Sequence, residues 1–276
     1  MLFRVWMATT KNSNRRGGKK NLWVLMNSHA FARWCVCSPF SRVRGFLSRL
    51  NHGESAPQRA MDHQSRTAAI ILAAGTSSRM GGAGNKLLLP LHNRPVLAHV
   101  IEAVLGSRAR PLILVLGHQA EEVKTRIQAD LRENALEVVE NADYAQGQST
   151  SMKAGLRALL ASHAGQNLTS VIFLLGDQPM ITSAMIDRLI ALREQTGRPI
   201  ALPLYGGQRG NPVVFSLDLV PELLQVSGDE GGRSIIQRHA QEVATLEMGE
   251  EAANFDVDTW EAYLQVQAAW QQKMLE

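Results

Sequence analysis

From Thr67 onward, short apolar runs alternate with longer stretches of helical spacing. "AAIILAA" (68–74) is short, apolar and partly β-branched, the pattern of a strand buried on both faces. "PLILVLG" (111–117), "LEVVEN" (136–141) and "SVIFLLGD" (170–177) repeat it. Between them lie stretches with helical periodicity. Residues 95–107 open on a proline and end near a glycine. Residues 119–135 are amphipathic, with acids in the first turn. Residues 149–164 offer Ser149 as an N-cap, and 182–197 are capped by Thr182 or Ser183 and stopped by Gly197. Strands follow at 199–205, 211–217 and 243–248, and helices at 218–226, 232–241 and 259–274. Such alternation predicts a Rossmann-like three-layer α/β/α domain over 67–270, with a mostly parallel sheet covered on both sides.

Residues 1–60 break this pattern. They hold 11 of the 29 Lys/Arg residues but one acid, Glu54, so the rest of the chain is net acidic despite an overall charge of +4. The high pI therefore belongs to this segment and does not argue for a nucleic-acid partner. Both cysteines, Cys35 and Cys37, lie here, which leaves the remainder without a disulfide framework or thiolate metal site. Poor periodicity and many arginines suit either a transit-like basic arm or sequence upstream of a true start at Met61. No apolar run reaches the ~18 residues that span a bilayer. No secretory signal is expected either, because Arg4 and Lys11 interrupt the early apolar runs. A cytoplasmic location without membrane contact is expected.

The stretch "AAIILAAGTSSRMGGAGNK" carries the first candidate chemistry. In an open α/β sheet, ligands bind beyond the carboxyl ends of the strands, and the loop Gly75–Asn85 leaves the first strand at that edge. Glycines let backbone N–H groups approach a phosphate, and Arg79 and Lys86 add cations. A plain loop of small residues does not call for two cations beside a buried strand. The Walker A pattern fails, since Asn85-Lys86-Leu87 stands where Gly-Lys-Ser/Thr is needed; the Rossmann glycine fingerprint fails too. Lys86 is expected to be solvated when no nucleotide is bound.

Three further segments reach the same edge. Asp177 in "FLLGDQPMI" ends a buried strand and is a hard oxygen donor of the kind Mg²⁺ takes, or else the start of a turn. In "NFDVDTWEAY", Asp256 and Asp258 alternate and so share one side of an extended segment. Asp258 is the preferred second metal ligand, Asp256 the alternative, and one of them could instead cap the final helix. In "ENADYAQGQSTSMKAGL", Gly147 leads into a helix whose first N–H groups and hydroxyls, at Ser149 and Ser151, could read a base or a pterin.

The pattern L-A-A-G-x-x-x-R-M-G-x(n)-N-K-L-L resembles the signature of the glycosyltransferase-A-like nucleotidyltransferases. Together with "GDQP", "RGNPVVF", "SGDEGGRSII" and "FDVDT", in order, it is similar to the MobA-like NTP transferase family, closest to its molybdenum cofactor cytidylyltransferase branch. The resemblance covers about 68–263. It implies Mg²⁺-dependent transfer of CMP from CTP to molybdopterin or the molybdenum cofactor, with release of pyrophosphate. A molybdoenzyme or its chaperone becomes a candidate partner.

By the same resemblance, Leu72, Ala73, Ala74, Gly75, Arg79 and Lys86 match the nucleotide loop, joined by Gly147, Ser149 and Ser151. Lys86, Arg79 and Asp177 carry the catalytic role, and Asp177 with Asp258 the metal. Gly210-Asn211-Pro212 departs from the family's usual Gly-His-Pro, which puts the acceptor's identity in question. Two alternatives stay open: transfer to a sugar or polyol phosphate, and a NAD(P)H-dependent oxidoreductase on the same fold.

Overall fold

The computed structural model describes residues 66–77, 84–128, 136–163, 166–249 and 255–274. Residues 1–60, with the expectations placed on them, and Arg79 lie outside the described residues. The chain starts with strand β1 (Thr67–Ala73), a hairpin of β2 (Pro90–Leu91) and β3 (Arg94–Pro95), helix α1 (Val96–Leu105), β4 (Leu112–Leu116), α2 (Ala120–Arg126), β5 (Leu136–Glu140) and α3 (Gln148–Ser162). It continues through β6 (Ser170–Leu175), α4 (Ser183–Thr196), β7 (Ile200–Tyr205), β8 (Gln208–Arg209) and β9 (Val213–Ser216). Short α5 (Val220–Leu223) and α6 (Arg233–Arg238), β10 (Val243–Glu247) and α7 (Trp260–Lys273) complete it.

The main sheet runs β10-β7-β9-β6-β1-β4-β5, with β8 beside β7. β1 pairs in parallel with both β4 and β6, and β9 alone among the path strands runs antiparallel, between β6 and β7. All seven residues of β1 are buried. Because side chains alternate across a strand, Ala69, Ile71 and Ala73 enter one core with Val100 and Ile101 of α1 and Leu189 of α4. Ala68, Ile70 and Leu72 enter the other with Leu156 of α3, Phe215 of β9 and Ile235 of α6. The fold is thus the expected mostly parallel sheet covered by helices on both faces.

A third, smaller core decides where the C-terminal region sits. Leu91 and Val96 pack with Val257, Tyr263 and Val266. The Tyr263 hydroxyl donates to the carbonyl of Pro90. His99 is buried, its Nε2 lies 2.8 Å from the carbonyl of Leu91, and its ring centroid is 4.3 Å from that of Trp270. These contacts fasten α7 onto the hairpin.

Several local expectations change. Ser149 is not an N-cap: α3 begins at Gln148, and the residue before it is Gly147 at φ +111°. The cap comes from far along the chain, where Asp229 Oδ1 accepts from the Gln148 N–H at 3.1 Å. In the described part of the amphipathic stretch from 119, helix runs over Ala120–Arg126, and the helix expected over 218–226 is a 3₁₀ turn (Leu217–Leu219) followed by one turn of α5. Thr182 caps α4 by accepting from the Met185 N–H, and Gly197 stops it in the left-handed conformation. The β2–β3 hairpin was not foreseen. Its turn is His92-Asn93, both at positive φ, without the glycine that usually marks such a turn.

Candidate functional site

A cavity of about 570 Å³ opens at the carboxyl ends of β1 and β6, a size suited to a small organic ligand. Its floor is the end of β1 and the loop that follows, with Leu72, Ala73, Ala74 and Gly75 on the wall. Lys86 returns to this edge in a 3₁₀ turn (Lys86–Leu88). Two bonds fix that turn: Asn85 Oδ1 accepts from the Leu87 N–H at 3.1 Å, and the Lys86 N–H donates to Ser77 Oγ at 3.1 Å. Leu87 is buried in the α1-side core and anchors it.

The Lys86 ammonium donates to both Asp177 Oδ2 and Asp258 Oδ1. Asp177 follows β6 directly, while Asp258 arrives on the segment before α7. The backbone brings the two together, because the Val257 N–H donates to the Asp177 carbonyl at 3.0 Å. The Lys86 and Asp177 side chains are 13% and 14% exposed, that of Asp258 36%. Burial works against the lysine charge, but Asp177 and then Asp258 outweigh it and hold the ammonium above the usual lysine pKa. The expectation of a solvated Lys86 is therefore wrong: its charge is what lets two carboxylates stand side by side in a part-buried site.

Asp256 lines the same cavity but has a different partner. Gln178 Nε2 donates to its Oδ1. Burial pushes its pKa up to about 6; the Gln178 hydrogen bond opposes this, and the negative charges of Asp177 and Asp258 add to it. Tyr205, whose hydroxyl donates to the carbonyl of Asn211 at 2.9 Å, is pushed up to about 12, mostly by burial and in part by Asp256.

The other wall is built from Tyr144, Gly147, Gln148 and Ser151 on one side and Asp229 and Arg233 on the other. Gly147 admits no side chain: a Cβ there would lie 2.5 Å from the carbonyl carbon of Gly228. Ser151 is buried and takes a hydrogen bond from Asn141 Nδ2 at 3.0 Å. Ser149 is 1% exposed and does not line the cavity, and the Thr150 N–H is already used by the Gly147 carbonyl. The helix start is thus less open to a ligand than its sequence suggests. Asp229, Arg233 and Tyr144 had no assigned role in the sequence, although "SGDEGGRSII" was a marked motif. Its adjacent glycines, Gly231 and Gly232, were the available sign of a tightly packed turn.

The donor set at Asp177 and Asp258 suits a hard divalent cation. Two carboxylate oxygens converge on one point, the one now taken by the Lys86 ammonium. Among the described residues no group of three or more metal-binding side chains occurs. A divalent cation held by two carboxylates would fill the rest of its shell with water and phosphate oxygens.

The chain is similar to several known proteins. Residues 69–243 match the MobA-like NTP transferase domain. The chain belongs to the MobA-like NTP transferase family, a family of nucleotidyltransferases. It is 33% identical over 156 residues to the molybdenum cofactor cytidylyltransferase of Escherichia coli (strain K12), covering 56% of this chain and 73% of that protein. It is 32% identical over 135 residues to the bifunctional protein GlmU of Kineococcus radiotolerans, covering 49% of this chain but 26% of that longer protein. The chain thus spans about a quarter of the GlmU relative. Among solved structures, Rv0371c of Mycobacterium tuberculosis H37Rv in complex with manganese superposes with a TM-score of 0.60 at 26% identity, covering 74% of this chain and 99% of that one. Among the described residues no helix is long and apolar enough to cross a membrane.

Proposed function

We propose that the chain transfers CMP from CTP to the terminal phosphate of molybdopterin or its molybdenum-bound form. The observation that carries this reading is the Lys86 ammonium seated between Asp177 and Asp258 beside the Gly75 loop. An acceptor phosphate oxygen attacks the α-phosphorus. The bond from that phosphorus to the bridging oxygen breaks, and its electron pair leaves with pyrophosphate. No side-chain nucleophile is needed, so positioning and charge stabilisation carry the rate.

Lys86 and Arg79 hold the triphosphate and the departing pyrophosphate. The backbone of Ala73, Ala74 and Gly75, with the Gly147–Ser151 turn, orients the nucleoside. Asp177 and Asp258 would hold Mg²⁺ or Mn²⁺; when bound, the cation supplies Lewis-acid charge neutralisation at the phosphates. The manganese complex of Rv0371c supports use of a divalent ion. The identity to the E. coli cytidylyltransferase supports the choice of CTP and molybdopterin. We further propose that residues 67–270 are the catalytic domain, that residues 1–60 take no part in it, and that the enzyme works in the cytoplasm beside a molybdoenzyme or its chaperone.

A match to a 2-C-methyl-D-erythritol 4-phosphate cytidylyltransferase, 32% identical over 152 residues, favours one rival, transfer to a polyol phosphate. A single assay separates the two: pyrophosphate release from each of the four NTPs, with molybdopterin, with 2-C-methyl-D-erythritol 4-phosphate and with neither. Release that needs CTP and molybdopterin together supports the proposal. Release with the polyol phosphate and none with molybdopterin sinks it.

A further inference from the structure

Asp229 is a carboxylate on the wall of a cavity that the proposed reaction fills with phosphates. One oxygen is engaged, since Oδ1 accepts from the Gln148 N–H at the start of α3. Among the described residues the other, Oδ2, has no hydrogen-bond or ion-pair partner. Among the described residues no ion pair joins it to Arg233, four residues on and lining the same cavity. Its place is well defined. Gly228 lies against Gly147, and a Cβ on Gly231 would come 2.8 Å from Gln148 Oε1, so the segment and the start of α3 are in close contact at several points.

A carboxylate here repels phosphate, and by accepting from Gln148 it also takes the helix N–H that an anion would use. Asp229 is exposed, so water satisfies its free oxygen until a ligand displaces that water, and the ligand must then offer a cation or a neutral hydrogen-bond donor. The metal candidates lie at Asp177 and Asp258, and no group of three ligands forms elsewhere among the described residues. A neutral donor remains. Tyr144, in the turn that leads into Gly147, lines the same cavity and offers an aromatic surface to a flat ring.

We infer that Asp229 reads the amino-group edge of a planar heterocyclic substrate, with Gln148 holding the carboxylate in place. Two substrates carry that chemistry: cytosine, through its 4-amino group, and a pterin, through its 2-amino group. The first source needs only the nucleotidyltransferase class; the second rests on the acceptor proposed above.

The test uses equilibrium binding to the full chain with Mg²⁺, which requires no turnover. CTP is compared with UTP, which has a carbonyl in place of the 4-amino group. On the CTP-loaded protein, pterin is compared with lumazine, which has an oxygen in place of the 2-amino group. Wild type is set against Asp229→Asn, whose Oδ1 still accepts from Gln148 while an NH₂ replaces the free oxygen. A hydrogen bond to a charged group is worth about ten- to a hundredfold in affinity. Wild type should favour the amino ligand of one pair by that factor, and Asp229→Asn should abolish the preference. Loss within the nucleotide pair assigns Asp229 to the base, and loss within the pteridine pair to the acceptor. Equal ratios in the two proteins overturn the inference, as does a uniform loss of all four ligands, which would mark Asp229 as a support for α3 alone. Failure of the wild type to release pyrophosphate with molybdopterin would remove the proposed acceptor and leave both ratios readable.

Discussion

The N–H of Val257 donates to the carbonyl of Asp177 at 3.0 Å. Through that one backbone contact, a segment from just before the last helix is laid against the end of β6. Asp258 then reaches the same lysine as Asp177. Two carboxylates far apart in the chain become one cation seat, and the charge they share explains how each should respond to substitution.

Asp177→Asn keeps the shape of the side chain and removes its charge. Turnover should fall by at least ~10²-fold, with CTP still bound weakly. Asp258→Asn should be milder, because Asp258 is more exposed than Asp177. The measurement is pyrophosphate release over a titration of Mg²⁺ and Mn²⁺. Wild-type metal dependence in Asp177→Asn would remove this residue from the metal site.

Lys86→Met should act on rate and stability together. Losing a preorganised electrostatic donor typically costs about 10²–10³ in rate. It also leaves Asp177 and Asp258 facing each other without a cation. Breaking a buried pair costs ~3–5 kcal/mol, and the part-exposure of Asp258 reduces this to about 1–3 kcal/mol. Thermal melts should show a lower Tm for Lys86→Met that Asp258→Asn partly restores in the double variant. An unchanged Tm would mean that the bridge contributes nothing to the fold.

Gly147→Ala should destabilise more than a single methyl suggests. Gly147 has φ +111°, and its Cβ would meet the Gly228 carbonyl carbon at 2.5 Å. Strain and displacement of the Gly228 turn should together cost about 2–4 kcal/mol. Gly197→Ala is the control. That site also has positive φ, +64°, but nothing lies within 4 Å of its Cβ, so about 1–2 kcal/mol is expected. Equal melts for the two variants would show that the contact between the turns yields easily.

His99 sets a pH window. Burial lowers its pKa from the ordinary value, and its contact with the Leu91 carbonyl opposes the shift in part. The folded state therefore favours the neutral ring. Above the unfolded pKa of about 6.5 the full contribution is present. It is lost as pH falls below that value, when the unfolded chain takes up the proton first. Wild-type Tm should drop more between pH 7.5 and pH 5 (roughly the span of an ordinary histidine titration) than that of His99→Phe, which keeps a ring against Trp270. Parallel curves would show that His99 does not drive acid sensitivity.

The sequence made much of this legible where one element suffices. "AAIILAA" and "SVIFLLGD" announce strands buried on both faces, and a glycine loop or an aspartate at such a strand's end marks the ligand edge. What stayed hidden depends on meetings between distant segments. Ser149 looks like an ideal cap in one dimension, yet Asp229 takes that role because Gly147 and Gly228 allow two turns to touch. Lys86 reads as a loop lysine until Val257 brings Asp258 beside it. The His92-Asn93 hairpin lacks its usual glycine, and its strands are two residues each, too short for periodicity to register.

The small core beneath α7 also fixes when the enzyme becomes competent. The main sheet has all its strands once Glu247 is in place, and both large cores draw on residues before Met248 or at it. Asp258 and α7, which packs on His99 and Leu91, come afterwards. During synthesis on the ribosome the sheet can therefore form before the second carboxylate partner of Lys86 has emerged. A nascent chain, or one cut short by a stop codon after β10, would hold every strand and half of the cation seat, so that activation waits for the final stretch of translation.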